Sequence, residues 1–255
     1  NELNNTNYTQ LSIFVASCSI FKVINSEFDL KKLNVRAMLG HSLGEYSALV
    51  CSNMIKINNC AKLLKIRGEL MNKAVEPNKS GMVALIGLSS NEVEKIIFEN
   101  NLNIQVANDN SPMQIVISGM NDELENSKQF FLSNKVKKFI KLNVSAAFHS
   151  NLMLNAQNEL KKHIEKIDFL ESDISIISNY SSKISNNRKI IKDCLSNQMA
   201  NKVKWTESII ELANVKEKKL IEIGPGNTLS GLVKRINKSF EITSINQVND
   251  LNLLK

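Results

Sequence analysis

A serine flanked by glycines is the first feature of this sequence that could do chemistry. The segment G-H-S-L-G places Ser42 two residues after Gly40 and two residues before Gly44. Glycines at this spacing allow a strand and a helix to approach closely at a sharp turn, where a Cβ atom would clash. The serine hydroxyl then projects at a helix N-terminus, where free N–H groups favour a developing negative charge. The pattern predicts a nucleophile, and an ordinary glycine-rich turn is the alternative.

The serine needs a base within hydrogen-bond reach, because a hydroxyl is a weak nucleophile at neutral pH. The chain has three histidines. His41 adjoins the serine, where neighbouring side chains point apart, and His163 lies in a lysine-rich helical segment. His149 is the remaining candidate base, although a buried structural histidine would explain it equally well. No acidic residue stands out as the third member of a catalytic triad.

Arg67 is the candidate binding residue for an anionic group. It falls on a predicted helical stripe with the apolar residues Ile57, Ala61, Leu64, Leu70 and Met71. An inward-facing arginine needs a partner, since an unpaired buried charge is costly. The planar guanidinium matches a carboxylate through two parallel hydrogen bonds. The pattern therefore predicts a carboxylate beside Arg67, supplied either by a ligand or by an internal acid such as Glu69.

The periodicity of apolar residues predicts the elements that position these side chains. Helices are expected over 9–23 and 55–75, and a buried strand over 35–39 leads into the serine turn. Residues 82–142 predict the order β-α-β-β-α-β, with Asn110-Ser111-Pro112 as the central turn. That order is typical of a ferredoxin-like unit. The elements that follow, over 151–237, alternate helix and strand, which indicates a mostly parallel sheet covered on both faces.

These elements predict an α/β fold with two parts. An α/β-hydrolase-like large domain with a parallel sheet comprises residues 1–79 and 144–255, and a ferredoxin-like small domain comprises residues 80–143. His149 then lies where the insert returns to the large domain. A length of 255 residues fits one domain that carries an insertion.

Composition excludes several classes of protein. The chain is 43% hydrophobic and 22% charged, as in globular proteins, and its longest apolar segment is too short to span a bilayer. The net charge of +7 comes without an aromatic-interleaved basic run, so neither nucleic acid nor membrane is an expected partner. The cysteines, Cys18, Cys51, Cys60 and Cys194, are scattered and predict reduced thiols, with no disulfide frame or zinc site.

Several motifs in order resemble the malonyl-CoA:acyl-carrier-protein transacylases of type II fatty acid synthesis and the related acyltransferase domains of polyketide synthases. The resemblance covers nearly the whole chain. Its central motif runs from Gly40 to Tyr46, in the residues G-H-S-L-G-E-Y. The other matching positions are Thr9-Gln10, Arg67 to Met71, Asn110 to Pro112 with Gln114, Ser118-Gly119, Phe148 to Ser150, Gln198 with Val203 and Trp205, and Glu222 to Gly226.

The resemblance implies a Ser-His dyad that transfers a malonyl group. It assigns Ser42 as nucleophile, His149 as base, the Gln198 backbone carbonyl as the group that orients the histidine, and the Leu43 N–H as an oxyanion donor. It also makes the malonyl carboxylate the partner of Arg67. The remaining residues that it places at the acyl pocket are Met71, Phe148, Asn110 and Gln114. No metal or redox cofactor is required.

The same resemblance implies that the partners are malonyl-CoA and holo acyl carrier protein. We expect the protein to be a monomer. The family's second oxyanion donor lies in an upstream Gly-Gln-Gly segment that this sequence lacks, so we expect a longer native chain. The expected compartment is the cytoplasm or a plastid stroma, the latter of an apicoplast type if the Asn, Lys and Ile usage reflects an AT-rich genome. Two alternatives stay open: a serine thioesterase or esterase, and a non-catalytic module that binds carrier protein.

Overall fold

The computed structural model describes residues 6–29 and 32–254, and the side chains from residue 9 onward. The fold is a mixed α/β structure in which helices cover several small sheets. The helices are α1 (Thr6–Glu27), α2 (Leu43–Cys51), α3 (Ile57–Lys73), α4 (Ser90–Glu99), α5 (Asn121–Ser133), α6 (Leu154–Glu165), α7 (Arg188–Ser196), α8 (Trp205–Asn214) and α9 (Thr228–Ile236). The strands are β1 (Ala37–Met38), β2 (Ser80–Ile86), β3 (Ile104–Ser111), β4 (Gln114–Met120), β5 (Lys138–Lys141), β6 (Ser175–Ile177), β7 (Ile184–Ser185), β8 (Lys219–Ile223) and β9 (Glu241–Ile245).

The middle of the chain forms a four-stranded antiparallel sheet in the order β3-β4-β2-β5. Its helices α4 and α5 follow β2 and β4, so the predicted β-α-β-β-α-β order is present. The predicted central turn differs, because Asn110 and Ser111 belong to β3 and Ser111 lies opposite Gln114 of β4. The turn itself is therefore the pair Pro112 and Met113.

The predicted parallel sheet appears as two smaller sheets in the described part of the chain. Strand β1 pairs with β6 in parallel, and β7 adds to β6 in antiparallel orientation. Strand β8 pairs in parallel with β9 as a separate sheet. Strands β7 and β9 were not predicted from the sequence. The two residues of β7 are too few to show a strand period, and β9 alternates only weakly between buried and exposed positions.

The catalytic serine candidate lies where β1 ends and α2 begins. Strand β1 comprises only Ala37 and Met38, shorter than the predicted strand over 35–39, and α2 starts at Leu43. Because β1 and β6 are parallel, their carboxyl ends meet at the same edge, so the residues that follow β6 lie beside the serine turn.

Helices α1, α2 and α3 pack together behind this turn and contribute to the largest apolar cluster, which α6 and α7 also join. Its fully buried side chains include Phe14 of α1, Tyr46 and Leu49 of α2, and Leu63 and Leu64 of α3. Rigid packing on that side supports the helix that carries the serine. Within the described residues, no helix combines the length and the apolar character needed to cross a bilayer.

Candidate active site

Ser42 stands at a strained turn that glycine makes possible. Its φ and ψ are 50° and −101°, a left-handed conformation that is uncommon for a residue with a side chain. An added Cβ at Gly40 would lie 2.0 Å from the Gly44 carbonyl carbon, so the close approach requires glycine there. An added Cβ at Gly44 would meet no atom within 4 Å, so the steric requirement that we expected for both glycines applies only to Gly40.

The structure brings His149 to the serine from 107 positions away, as predicted. The distance from Ser42 Oγ to His149 Nε2 is 2.9 Å, and His149 Nδ1 lies 3.1 Å from the backbone oxygen of Gln198. A carbonyl oxygen only accepts hydrogen bonds, so Nδ1 carries the proton and Nε2 is free to accept one from the serine. The geometry is that of a nucleophile and base oriented by a backbone carbonyl.

Burial and charge keep His149 neutral. Its side chain is buried, and desolvation together with the nearby positive charge of Arg67 lowers the pKa of His149 to about 3. The Gln198 carbonyl opposes this shift by accepting a hydrogen bond from the ring. The imidazole therefore stands ready as a proton acceptor at neutral pH.

Arg67 lies beside the same hydroxyl and is almost fully buried, with 1% of its surface exposed. Its Nη2 donates to Ser42 Oγ at 2.9 Å and to the side-chain oxygen of Gln198 at 3.2 Å, while Nη1 donates to the side-chain oxygen of Gln10. The guanidinium carbon is also 5.3 Å from the centre of the Tyr46 ring. These neutral partners, and not Glu69, hold the guanidinium, and they leave its charge available to a ligand carboxylate.

Gln198 contacts each part of the site. In addition to its backbone bond to His149, its side-chain nitrogen donates to the Ser42 carbonyl oxygen at 2.9 Å and to Glu45 Oε2 at 2.8 Å. Its side-chain oxygen accepts from Arg67. The resemblance had predicted only the backbone carbonyl of Gln198, so the role of its amide side chain is a finding of the structure.

Sequence reasoning missed two buried residues under the serine turn, Asn179 and Glu45. Asn179 accepts from the Ser42 N–H at 2.6 Å and donates to the Gly40 carbonyl at 2.7 Å, while its own N–H donates to Glu45 Oε2 at 3.1 Å. Two features of the sequence could have indicated these residues. Asn179 follows a strand whose end meets the serine turn, and Glu45 is the one charged residue of the apolar helix α2.

The predicted pocket residues fall into two groups. Asn110 is near the serine, because its Oδ1 lies 2.7 Å from Nε2 of His41, the residue before the nucleophile. Burial lowers the pKa of His41, and the hydrogen bond with Asn110 opposes that shift. The side-chain oxygen of Gln114 accepts from Arg235 at 2.5 Å.

Met71 and Phe148 belong to the walls of the site. Met71 is buried, and its sulfur lies 3.5 Å from the Nε2 of Gln10, the residue that also holds Arg67. Phe148 precedes the base and is partly buried between the apolar cluster of the α1, α2 and α3 helices and a smaller cluster on the antiparallel sheet. Its carbonyl accepts from Ser118 at 2.8 Å, which connects the loop of the base to β4.

Leu43 is the first residue of helix α2, and its backbone N–H has no acceptor among the described residues. It directly follows the nucleophile, where an oxyanion donor is expected. In the described segments, no three histidine, cysteine or acidic side chains come together around a point that could hold a metal ion. His163, the third histidine, lies half-buried on α6 and has no contact with the serine.

Known proteins are similar to this chain in sequence. The family described as "Acyl transferase domain" matches residues 1–252. The polyketide biosynthesis protein PksE of Bacillus subtilis is 41% identical over 244 residues, which are 94% of this chain and 31% of that protein. The malonyl CoA-acyl carrier protein transacylase of Haemophilus influenzae is 34% identical over 256 residues, 100% of this chain and 81% of that protein.

A solved structure shows the same fold. The acyl carrier protein S-malonyltransferase of Vibrio cholerae superimposes with a TM-score of 0.92 at 35% sequence identity, covering 100% of this chain and 83% of that one. Because the superposition covers the whole of this chain, it includes the segments that carry Ser42, Arg67 and His149. The chain therefore belongs to the acyl transferase domain family.

Proposed function

We propose that the protein transfers a malonyl group from malonyl-CoA to the phosphopantetheine thiol of acyl carrier protein. The observation that carries the proposal is the pair of 2.9 Å contacts at one oxygen: Ser42 Oγ meets both His149 Nε2 and Arg67 Nη2. A nucleophile, its base and a buried cation thus lie close enough together to contact the same acyl group. The names of the relatives, malonyl CoA-acyl carrier protein transacylase among them, support the same substrate and acceptor.

The proposed reaction has two half-reactions. The Ser42 hydroxyl gives its proton to His149 Nε2 while its oxygen attacks the thioester carbonyl, and the Leu43 N–H stabilises the resulting oxyanion. The C–S bond then breaks, and the protonated His149 gives the proton to the departing CoA thiolate, which leaves as the thiol. In the second half-reaction, the carrier-protein thiol attacks the seryl ester in the same way and regenerates the serine.

Arg67 gives the choice of a malonyl group its physical basis. A guanidinium binds a carboxylate through two charge-assisted hydrogen bonds, and the acyl group of acetyl-CoA offers no such partner. Sites built around a buried polar partner reject the analogue that lacks it by roughly 10⁴ to 10⁵-fold. The Ser42 and Gln10 contacts of Arg67 occupy the guanidinium in the free protein and would give way to the malonyl carboxylate.

We further infer that residues 80–143 form a ferredoxin-like insert in an α/β-hydrolase-like domain made of residues 1–79 and 144–255. The strand order β3-β4-β2-β5 and a separate apolar cluster under that sheet support this division. The Asn110 contact with His41 would then join the insert to the serine turn. The predictions of a monomer and of a cytoplasmic or plastid compartment stand as proposals beside it.

The test is to mix the protein with malonyl-CoA and measure its intact mass. We expect an increase of one malonyl group that maps to Ser42, is absent in Ser42→Ala, and is discharged by holo acyl carrier protein. Rapid loss of the adduct to water, with no transfer to the carrier protein, would favour a thioesterase. Absence of any adduct, with the carrier protein still bound, would favour a non-catalytic binding module.

A further inference from the structure

Glu45 is a fully buried acid that the proposed reaction does not use. Its side chain is 0% exposed, and one of its oxygens, Oε1, has no hydrogen-bond partner in the described structure. Desolvation raises the pKa of Glu45, while the hydrogen bonds from Gln198 and Asn179 and the charge of Arg67 act to lower it. A buried carboxyl without a role would be replaced by an apolar side chain at little cost, so its position calls for a function.

The side-chain amide of Gln198 connects Glu45 to Arg67. Its Nε2 donates to Glu45 Oε2 at 2.8 Å, and its Oε1 accepts from Arg67 Nη2 at 3.2 Å. The amide dipole thus has its negative end toward the cation and its positive end toward the carboxylate, the favourable direction at both ends. In a buried site, where the dielectric is low, such a chain of hydrogen bonds is stronger than it would be in water.

We propose that Glu45 is a positioning residue whose carboxylate orients the Gln198 amide, which in turn holds the Arg67 guanidinium beside Ser42. The inference rests on the proposed function, because the guanidinium matters only if the substrate carries a carboxylate. Glu45 has no hydrogen bond with the serine hydroxyl or with His149, so it is placed to act on the reaction through Gln198, to which it is bonded directly.

The hydrogen-bond chemistry explains why a carboxylate is needed at this position. The Oε2 atom of Glu45 accepts from the Asn179 N–H as well, so the group of Gln198 that faces this oxygen must be the NH₂. If the amide were reversed, its NH₂ would face the guanidinium, which is itself only a donor, and both contacts would be lost. An amide in place of Glu45 could pair with either orientation, so only the Ser42 carbonyl and Arg67 would still favour the observed direction of the Gln198 amide.

The remaining contacts of Arg67 do not define its position alone. Gln10 holds Nη1, and the face of the Tyr46 ring supports the guanidinium carbon at 5.3 Å, but neither binds Nη2. Nη2 is the atom that faces the nucleophile, and its acceptors are Ser42 Oγ and Gln198 Oε1. Once Ser42 is acylated, its ester oxygen is a poorer acceptor, and Gln198 remains to hold Nη2.

The test compares Glu45→Gln, Gln198→Leu and the double variant with the wild-type protein. Gln198→Leu keeps the backbone carbonyl that holds the base, and the amide bond to the Ser42 carbonyl that it also removes affects both rates measured below. Two rates are measured for each protein: acylation of Ser42 by malonyl-CoA, followed by intact mass, and labelling of Ser42 by a fluorophosphonate, which has no carboxylate. The ratio of the two rates isolates the contribution of Arg67.

Asp109→Asn is the matched control. Asp109 is also a buried acid, 8% exposed, and burial raises the pKa of its carboxyl. It accepts from Thr206 Oγ1 at 2.6 Å and has no contact with Gln198 or Arg67. Thermal unfolding of every variant identifies any protein that fails to fold.

We expect Glu45→Gln to lower the ratio of malonyl acylation to fluorophosphonate labelling by about tenfold, the effect of one hydrogen bond to a charged group. Gln198→Leu should lower it similarly, the double variant should lower it no further, and Asp109→Asn should leave it unchanged. An unchanged ratio in Glu45→Gln, or effects that multiply in the double variant, would overturn the inference. Absence of malonyl acylation in the wild type would instead reject the proposed function.

Discussion

Replacing Asn179 with alanine should weaken both the fold and the nucleophile. Asn179 makes two short hydrogen bonds to the serine turn, from the Ser42 N–H at 2.6 Å and to the Gly40 carbonyl at 2.7 Å. Each bond contributes about 0.5–1.5 kcal/mol, and an unsatisfied buried partner costs about 1–3 kcal/mol. We therefore expect Asn179→Ala to lower the free energy of unfolding by about 2–4 kcal/mol.

The loss of reactivity follows from the strained backbone of Ser42. Its φ of 50° is held in part by Asn179, and such conformations cost about 1–3 kcal/mol when unsupported. Relaxation of the turn would move Ser42 Oγ away from His149 Nε2, and a misplacement of about 1 Å can cost about 10²-fold in rate. We expect the fluorophosphonate labelling rate of Ser42 to fall by about 10 to 100-fold.

Urea unfolding and the labelling rate, measured on the same preparations, test this reasoning. Asn187→Ala is the control, because Asn187 caps α7 through the N–H groups of Lys189 and Ile190, at 3.0 and 3.2 Å. Loss of that cap should cost about 1 kcal/mol and leave the labelling rate unchanged. A wild-type labelling rate in folded Asn179→Ala would refute the view that Asn179 holds the nucleophile in place.

Three further predictions concern the turn, the base and the arginine. Gly40→Ala should abolish stable folding or Ser42 labelling, because its Cβ would lie 2.0 Å from the Gly44 carbonyl carbon. Gly44→Ala should retain both, and equal effects of the two variants on thermal unfolding would contradict the clash. His149 has a pKa of about 3 and accepts a proton only when neutral. The wild-type kcat/KM should therefore stay constant as the pH falls from 8 to well below the usual histidine pKa of about 6.5. A decline of kcat/KM with a midpoint near pH 6.5 would argue against a buried, neutral base. Arg67→Ala should remove one cause of the lowered His149 pKa, so kcat/KM for acetyl-CoA should begin to decline at a higher pH. The preference for malonyl-CoA over acetyl-CoA should fall by at least about 10²-fold. An unchanged preference would refute the role of Arg67.

The low pKa of His149 also affects stability. In the unfolded chain the histidine has its ordinary pKa of about 6.5, so between about pH 6.5 and 3 the unfolded state binds more protons than the folded one. This residue therefore makes the protein less stable as the pH falls through that window, and its effect is absent above it. The buried Glu45, whose pKa is raised, acts in the opposite direction at its own titration.

The sequence by itself determined the local features of the site. The spacing of Gly40, Ser42 and Gly44 predicted the turn, because a tight strand-to-helix connection depends on the residues within it. Elimination among three histidines, together with the family resemblance, identified His149, and the apolar surroundings of Arg67 predicted its burial. The order of elements over 80–143 was also predictable, since apolar periodicity is a local property.

Only the tertiary structure decided how the buried polar groups pair. Glu45 meets Gln198 across 153 positions and Asn179 across 134, and no periodicity reports contacts at such separations. The same holds for Gln114, whose side-chain oxygen pairs with Arg235 across 121 positions. Short-range sterics determine a turn within a few residues, whereas a hydrogen bond between distant side chains exists only after the whole chain has packed and excluded water from both partners.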